Sequence, residues 1–143
     1  MTAATASEAV VLGAMTGMRS MGGIATLGAG QGGLTAGITT VMALGEMIAD
    51  KSPGIGDRTD AAPLMGRLTM GGLAGGRVAQ QRGHSVLLGA LLGASAAVVA
   101  AHLAREARVR LPFPNLVSGL LEDGVLLGMA AIYLRQTRRA PRS

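Results

Sequence analysis

Ionisable side chains interrupt the apolar stretches of this sequence, and they are its best candidates for chemistry. They are Arg19, Glu46, Arg67, Glu122 and Asp123. A charge inside an apolar helix is expensive, so such residues either pair with one another or mark the path of an ion, proton or substrate. Two arginines among several carboxylates suit the binding of a cation or the transfer of a proton.

One pair of acids has helical spacing. Glu46 and Asp50 are four residues apart and would share one helix face. In a functional site, Arg19 and Arg67 would act as counter-ions, while Glu46 and Glu122 would be the acids that change protonation state. Alternatively, the charges only pair and fix helix register, because removing one partner of a buried pair typically costs about 3–5 kcal/mol. The sequence leaves both interpretations open.

A polar loop over residues 50–63 follows the first acids and carries Lys51, Asp57 and Arg58. Its prolines and glycines favour a solvated connection. In a second interpretation the loop folds over the site, with Arg58 reaching a carboxylate.

Several kinds of chemistry find no support. The chain has no cysteine, which excludes disulfides, thiol catalysis and cysteine-ligated metals. His84 and His102 stand alone, and the glycines of residues 28–33 lack the preceding strand of a dinucleotide site. With no nucleophile–base set either, we expect no enzyme, no cofactor and no metal.

The composition points to helices packed in a lipid bilayer. The 143 residues suffice for one domain, 49% are hydrophobic, and they include 23 Gly but only one Tyr, one Phe and no Trp. A water-soluble core draws much of its buried area from aromatic side chains, whereas membrane helices gain from small residues that let backbones approach. Glycines four apart recur at Gly13/Gly17, Gly28/Gly32, Gly33/Gly37, Gly71/Gly75, Gly72/Gly76, Gly89/Gly93 and Gly124/Gly128.

The apolar runs predict about five short helices. Residues 85–104 contain no charged side chain, and 20 residues cross a hydrocarbon core of about 30 Å. Residues 115–134 have the same length. The N-terminal half predicts a broken helix over residues 9–29 interrupted at 19–23, a turn at 28–33, and helices at 34–49 and 64–79.

The charge pattern suits lipid headgroups rather than nucleic acid. The net charge is +5, with arginines crowded into a basic C-terminal tail at residues 135–143. Aromatic residues for base stacking are missing. Basic residues divide almost evenly between the two sides of five spans, which leaves orientation undecided. Either one segment does not span, or the protein inserts both ways.

A short stretch is repeated. Residues 17–25 and 66–74 both combine Gly, Arg, a hydroxyl residue, Met-Gly-Gly, an aliphatic residue and Ala, with the glycine pairs 49 residues apart. Inverted repeats with broken helices are frequent in small transporters. Chance similarity in a chain rich in Gly, Ala and Met is the alternative.

Longer motifs resemble a known family. The run GEMIADKSP at residues 45–53, then Asp57-Arg58-Thr59 and Gly66-Arg67, is similar to bacterial membrane proteins of domain-of-unknown-function family 4126. The run GMRSM at residues 17–21 and Leu121-Glu122-Asp123 extend the resemblance over nearly the whole chain. The resemblance implies a multi-helix inner-membrane protein and no settled activity.

Together these features predict an all-α, polytopic membrane helix bundle formed by a single domain, residues 1–143. Some of its helices are expected to be broken, with interruptions at Arg19 and Arg67 and an internal, inverted repeat. The favoured function is a transporter or channel for a small ion or solute, working in the inner membrane as a homo-oligomer, with a dimer favoured. The alternative is a scaffold or assembly protein whose charges only fix packing. A third alternative, an enzyme acting on lipid headgroups, is disfavoured by the missing nucleophile.

Overall fold

The computed structural model describes residues 1–34, 37, 39, 41, 61–110 and 115–139. These ranges hold no strand, which confirms the all-α prediction, and five helices have described bounds. Residues 34, 37, 39 and 41 are helical, while the remainder of the predicted helix 34–49 and of the loop up to residue 60 lies outside the described residues. The helices are α1 (Ala3–Met18), α2 (Gly22–Gln31), α3 (Ala61–Gln81), α4 (Val86–Arg110) and α5 (Asn115–Arg139).

Most helices are longer than predicted. α3 runs from Ala61, inside the predicted loop, and tolerates Pro63 because a missing N–H costs nothing in the first turn of a helix. α2 continues to Gln31, so the turn predicted from residue 28 begins later. α5 extends to Arg139, which makes residues 135–139 of the predicted tail helical. Arginine is a good helix former, so basic ends need not stop a helix.

The break predicted near Arg19 is present, and the chain reverses there. Arg19 has extended backbone angles (φ −141°, ψ 128°) between α1 and α2. Gly22 starts α2 directly against α1, where an added Cβ would lie 2.7 Å from the Met15 carbonyl oxygen. A side chain at this position would therefore prevent the close return. α1 and α2 form a helical hairpin rather than one kinked span.

Backbone contacts between small residues hold α1, α3 and α4 together. Gly89, Gly93, Ala97 and Ala101 form a buried stripe on α4 with a spacing of four residues. An added Cβ on Gly13 of α1 would lie 2.7 Å from the Gly93 Cα. Small residues at this spacing allow the close approach expected of membrane helices.

The other side of the same stripe faces α3. A Cβ on Gly93 would collide with the carbonyl of Gly71 and lie 3.1 Å from the Gly75 Cα. α3 and α4 are antiparallel and are joined through Gly83, which has φ +68°. The His84 N–H donates to the Ala79 carbonyl at 2.8 Å, as in the Schellman termination that favours glycine at this position.

α5 lies along the α1–α2 hairpin. Asp123 contacts Arg19, Leu126 lies beside Gly22, and Leu134 lies beside Gly30. The number of residues that separates the two partners along the chain is the same in all three contacts. α5 and α2 therefore run in the same direction. The buried residues of the apolar core come from α1, α2, α3 and α5. They are Ala9, Leu12, Met15, Leu27, Ala74, Val78, Leu126 and Tyr133.

These directions define two ends of the bundle. The Arg82 end holds the start of α1, the Arg82 turn between α3 and α4, and the last turns of α2 and α5. A salt bridge of 2.7 Å between Arg82 and Glu8 joins α1 to that turn. The Arg105 end holds the start of α3, the last turns of α4 from Arg105 onward, and the start of α5.

Two of the described helices are long and apolar enough to cross a membrane: α4 and residues Val117–Arg135 of α5. Only 22% and 28% of the residues in their apolar windows are buried. Large side chains such as Leu87, Leu91 and Leu103 on α4 are 69%, 56% and 65% exposed. A core helix of a soluble domain would bury these side chains, and an exposed apolar surface of this extent marks contact with lipid or another protein.

The glycine contacts give a direct test of the packing. We expect Gly93→Ala to lower the unfolding free energy by about 1–3 kcal/mol, because the new methyl collides with backbone that has no rotamer to change. Gly66→Ala on α3 is the control, since none of the described residues comes within 4 Å of its Cβ position; it should be neutral or stabilise by up to about 1 kcal/mol. Thermal unfolding in detergent measures both, and equal midpoints would contradict the packing described.

Candidate functional site

A buried ion pair lies where the α1–α2 hairpin reverses. The Arg19 Nε and Nη2 both donate to the Asp123 Oδ1, at 3.0 Å and 2.6 Å. The two side chains are 3% and 7% exposed. Charge-assisted hydrogen bonds of this length are among the strongest in proteins. The pair joins the hairpin tip to α5 and neutralises two charges deep in the bundle.

Arg19 is also placed favourably with respect to α1. Its N–H donates to the Met15 carbonyl at 3.0 Å, so it closes the last turn of the helix. The carbonyl end of a helix carries partial negative charge, which favours a cation there. The guanidinium therefore meets negative potential from both α1 and Asp123.

The depth of the pair follows from helix register. Gly13 and Gly17 of α1 face Gly93 and Ala97 of α4, which places Arg19 near the level of Val99. That level is six residues, or roughly 9 Å, from Arg105 at 1.5 Å per residue. Asp123 is also six residues, or roughly 9 Å, from Val117, where the candidate span of α5 begins. The two estimates agree.

Arg67 lies close to the same level. It is 3% exposed on α3, one turn before Gly71, which faces Gly93 and Ala97 of α4. The structure thus brings both predicted arginines to one depth of the bundle.

The interruption predicted at Arg67 is absent, because α3 is continuous from Ala61 to Gln81. The Thr69 hydroxyl donates to the Met65 carbonyl at 2.8 Å inside the helix instead of capping a new one. α2 and the second half of α3 both run antiparallel to α1, so these two matched segments are not inverted relative to each other.

Glu122 contacts a different partner from its neighbour Asp123. Its Oε2 accepts a hydrogen bond from the Arg108 Nη2 at 3.0 Å, which connects α5 to the end of α4. One turn earlier, Ser118 is 5% exposed, and its hydroxyl makes no hydrogen bond within the described ranges. The Nε of Arg108 is likewise buried without an acceptor among these residues. A buried hydroxyl and a buried guanidinium N–H without acceptors leave capacity to bind a small polar species.

The structure does not describe the other five predicted site residues. Glu46, Asp50, Lys51, Asp57 and Arg58 lie outside the described residues.

A second polar cluster was missed from the sequence. Glu8 of α1 and Tyr133 of α5 line one cavity at the Arg82 end. Tyr133 is the only tyrosine of the chain, and Glu8 is the only acid before Glu46. These two features of the sequence were the only signals for the cluster. The proximity of Glu8 and Tyr133 itself depends on the direction in which α5 runs along α1.

Comparison with known proteins adds no family to these observations. No family model matches the chain, and no characterised protein or solved structure was found to be similar to it. The resemblance to family 4126 stays a prediction.

The contribution of the ion pair can be measured. We expect Asp123→Asn to lower the unfolding free energy by about 3–5 kcal/mol, because it removes the carboxylate that accepts both Arg19 hydrogen bonds. Replacing both partners with apolar residues of similar volume should cost much less.

Glu106→Gln is the matched control, since Glu106 forms an exposed pair with Arg110 on one face of α4. We expect a change below about 1 kcal/mol there. If Asp123→Asn unfolds at the same denaturant concentration as Glu106→Gln, the ion pair does not stabilise the fold.

Proposed function

We propose that this protein is a multi-pass membrane protein that passes a small ion or solute through a polar centre formed by Arg19, Arg67, Glu122 and Asp123. The observation that carries the proposal is the Arg19–Asp123 pair, buried where a helical hairpin reverses. α4 and α5 would cross the bilayer, and the α1–α2 hairpin would enter from the Arg82 end.

Helix length supports a hairpin that enters and returns. α1 has 16 residues and α2 has 10. At 1.5 Å per residue they extend about 24 Å and 15 Å, less than the roughly 30 Å of a hydrocarbon core. Their junction would lie inside the membrane, where irregular backbone is tolerated only if protein buries it or water reaches it.

The chemistry of the junction supports transport. Ion and substrate sites of secondary transporters are typically built at broken helices, whose ends present backbone dipoles to the bound species. Here a carbonyl end, a guanidinium and a carboxylate meet at one point, with the buried Ser118 hydroxyl on the same helix as Asp123. A proton or small ion that displaced one partner of the pair would leave the other charged side chain available for binding.

The scaffold function remains the second candidate, and one observation favours it. The Arg19 Nε and Nη2 both donate to a single Asp123 oxygen at short distances, which is the geometry of a pair that fixes register. A protein of this kind would keep its charges paired at all times and transport nothing.

Pairing of two copies in an inner membrane stays part of the proposal. Gly124 and Gly128 of α5 are exposed, and nothing among the described residues lies within 4 Å of their Cβ positions. Within the bundle, glycines at this spacing contact another helix. On α5 they would allow a second copy to approach closely.

Flux in liposomes tests transport. We expect purified protein to dissipate a gradient of protons or of a small inorganic ion, and Asp123→Asn to reduce the rate at least about tenfold, a barrier change of 1.4 kcal/mol. Glu122→Gln should reduce it less, because Arg108 and Glu122 are both more exposed than the central pair.

Glu106→Gln should keep the wild-type rate. If the wild-type protein gives no flux of H⁺, Na⁺, K⁺ or Cl⁻, the transport proposal is wrong and the scaffold function is favoured. Equal flux in wild type and a folded Asp123→Asn variant would show that the pair is not on the pathway.

Labelling tests the hairpin topology. The chain has no cysteine, so single cysteines report position directly. We expect Thr2→Cys and Ser85→Cys to react with a membrane-impermeant maleimide from one side, and Ala107→Cys from the other. If Thr2→Cys and Ala107→Cys react from the same side, α1 and α2 do not return to the Arg82 end.

A further inference from the structure

A cavity of about 210 Å³ lies between α1 and α5 at the Arg82 end. It is smaller than the roughly 300–1,000 Å³ of sites for drug-sized ligands, so it suits a small group. One part of its wall is apolar and the other is polar. The lining residues are Ser7, Glu8, Val11, Met129, Ile132 and Tyr133.

Two polar side chains form part of this wall, those of Glu8 and Tyr133. The Glu8 carboxylate has one oxygen, Oε2, that is buried and accepts no hydrogen bond within the described residues. Tyr133 is only 6% exposed. A buried acceptor without a donor costs about 1–3 kcal/mol, and more when it is charged. The carboxylate therefore favours an occupant that donates hydrogen bonds and carries positive charge.

The charges beside the cavity define what that donor is. The Glu8 Oε1 accepts from the Arg82 Nη2 at 2.7 Å, so the pair is neutral overall. Glu8 lines the cavity, while the Arg82 side chain is 39% exposed at the surface. This arrangement complements a zwitterion, with its cation at Glu8 and its anion at the outward guanidinium donors. Arginine is well suited to phosphate.

The position of the cavity identifies the source of the zwitterion. Tyr133 is two residues before Arg135, where the candidate span of α5 ends. At this level a protein in a bilayer meets lipid headgroups, and aromatic residues with a polar tip are typical there. Methylene groups would contact Val11, Met129 and Ile132.

We propose that this cavity binds a zwitterionic phospholipid whose headgroup ends in a primary ammonium. The ammonium donates to the Glu8 carboxylate and the Tyr133 hydroxyl, and the phosphate accepts from Arg82. The proposal rests on the membrane placement given under Proposed function but not on transport.

Headgroup chemistry makes the site selective. A choline headgroup carries the same charge but has no N–H to donate to the Glu8 carboxylate. A glycerol headgroup donates hydrogen bonds but brings no cation to the carboxylate. An ethanolamine headgroup supplies both the charge and the donors.

Native mass spectrometry of delipidated protein in detergent tests the proposal. With phosphatidylethanolamine, phosphatidylcholine and phosphatidylglycerol of matched chains, we expect preferential retention of one phosphatidylethanolamine. Glu8→Gln should weaken that retention about tenfold, the scale of one charge-assisted hydrogen bond. Tyr133→Phe should weaken it less, and Glu106→Gln should not change it.

Equal retention of the ethanolamine and choline lipids would overturn the proposal, as would unchanged retention by a folded Glu8→Gln variant. Free phosphoethanolamine is the comparison for the lipid source. Displacement of the lipid by millimolar phosphoethanolamine would assign binding to a soluble zwitterion and overturn the lipid part. If the wild-type protein stays in washed membranes but shows no headgroup preference, only this site fails. If it washes off the membranes, the membrane placement itself fails.

Discussion

The structure depends on one contact that has no room for a methyl group. At Gly93 the backbone of α4 touches α1 through Gly13 and α3 through Gly71 and Gly75. Three helices can share one point only if each presents a hydrogen where other residues carry a Cβ. The level of Arg19 and Arg67 follows from the register set there, because α1 and α3 are aligned to the same residue of α4. Close packing of small residues thus fixes the depth of the charges.

The ion pairs add a second layer of specificity to this packing. α5 makes few small-residue contacts with the other described helices, and it is held instead by Leu126, Tyr133 and the pair between Asp123 and Arg19. In the proposed membrane placement, apolar packing against lipid provides little preference for one partner helix over another. A buried charge pair accepts one register and excludes its neighbours. The position of α5, and with it both polar sites, therefore follows from electrostatics more than from shape.

Local features of this fold were predictable from the sequence and long-range ones were not. The break at Arg19 was expected because Ser-Met-Gly-Gly follows it. The same pattern is compatible with a broken span and with a hairpin, so it could not distinguish the two. The continuity of α3 through Arg67 depends on α4 packing against its glycines, which no local pattern reveals. The ion candidates Arg19 and Asp123 were recognised as charges in apolar runs. Their pairing, and the meeting of Glu8 with Tyr133, required the direction of α5.

The sequence distance between Arg19 and Asp123 has a consequence for how the chain is made. The two residues are 104 positions apart, so α5 is synthesised well after the α1–α2 hairpin. In the proposed membrane arrangement, the carboxylate that pairs with Arg19 is therefore absent while the hairpin is being made. The hairpin and α5 can lock together only once both have left the ribosome, which makes the Arg19–Asp123 contact a product of helix assembly rather than of hairpin insertion.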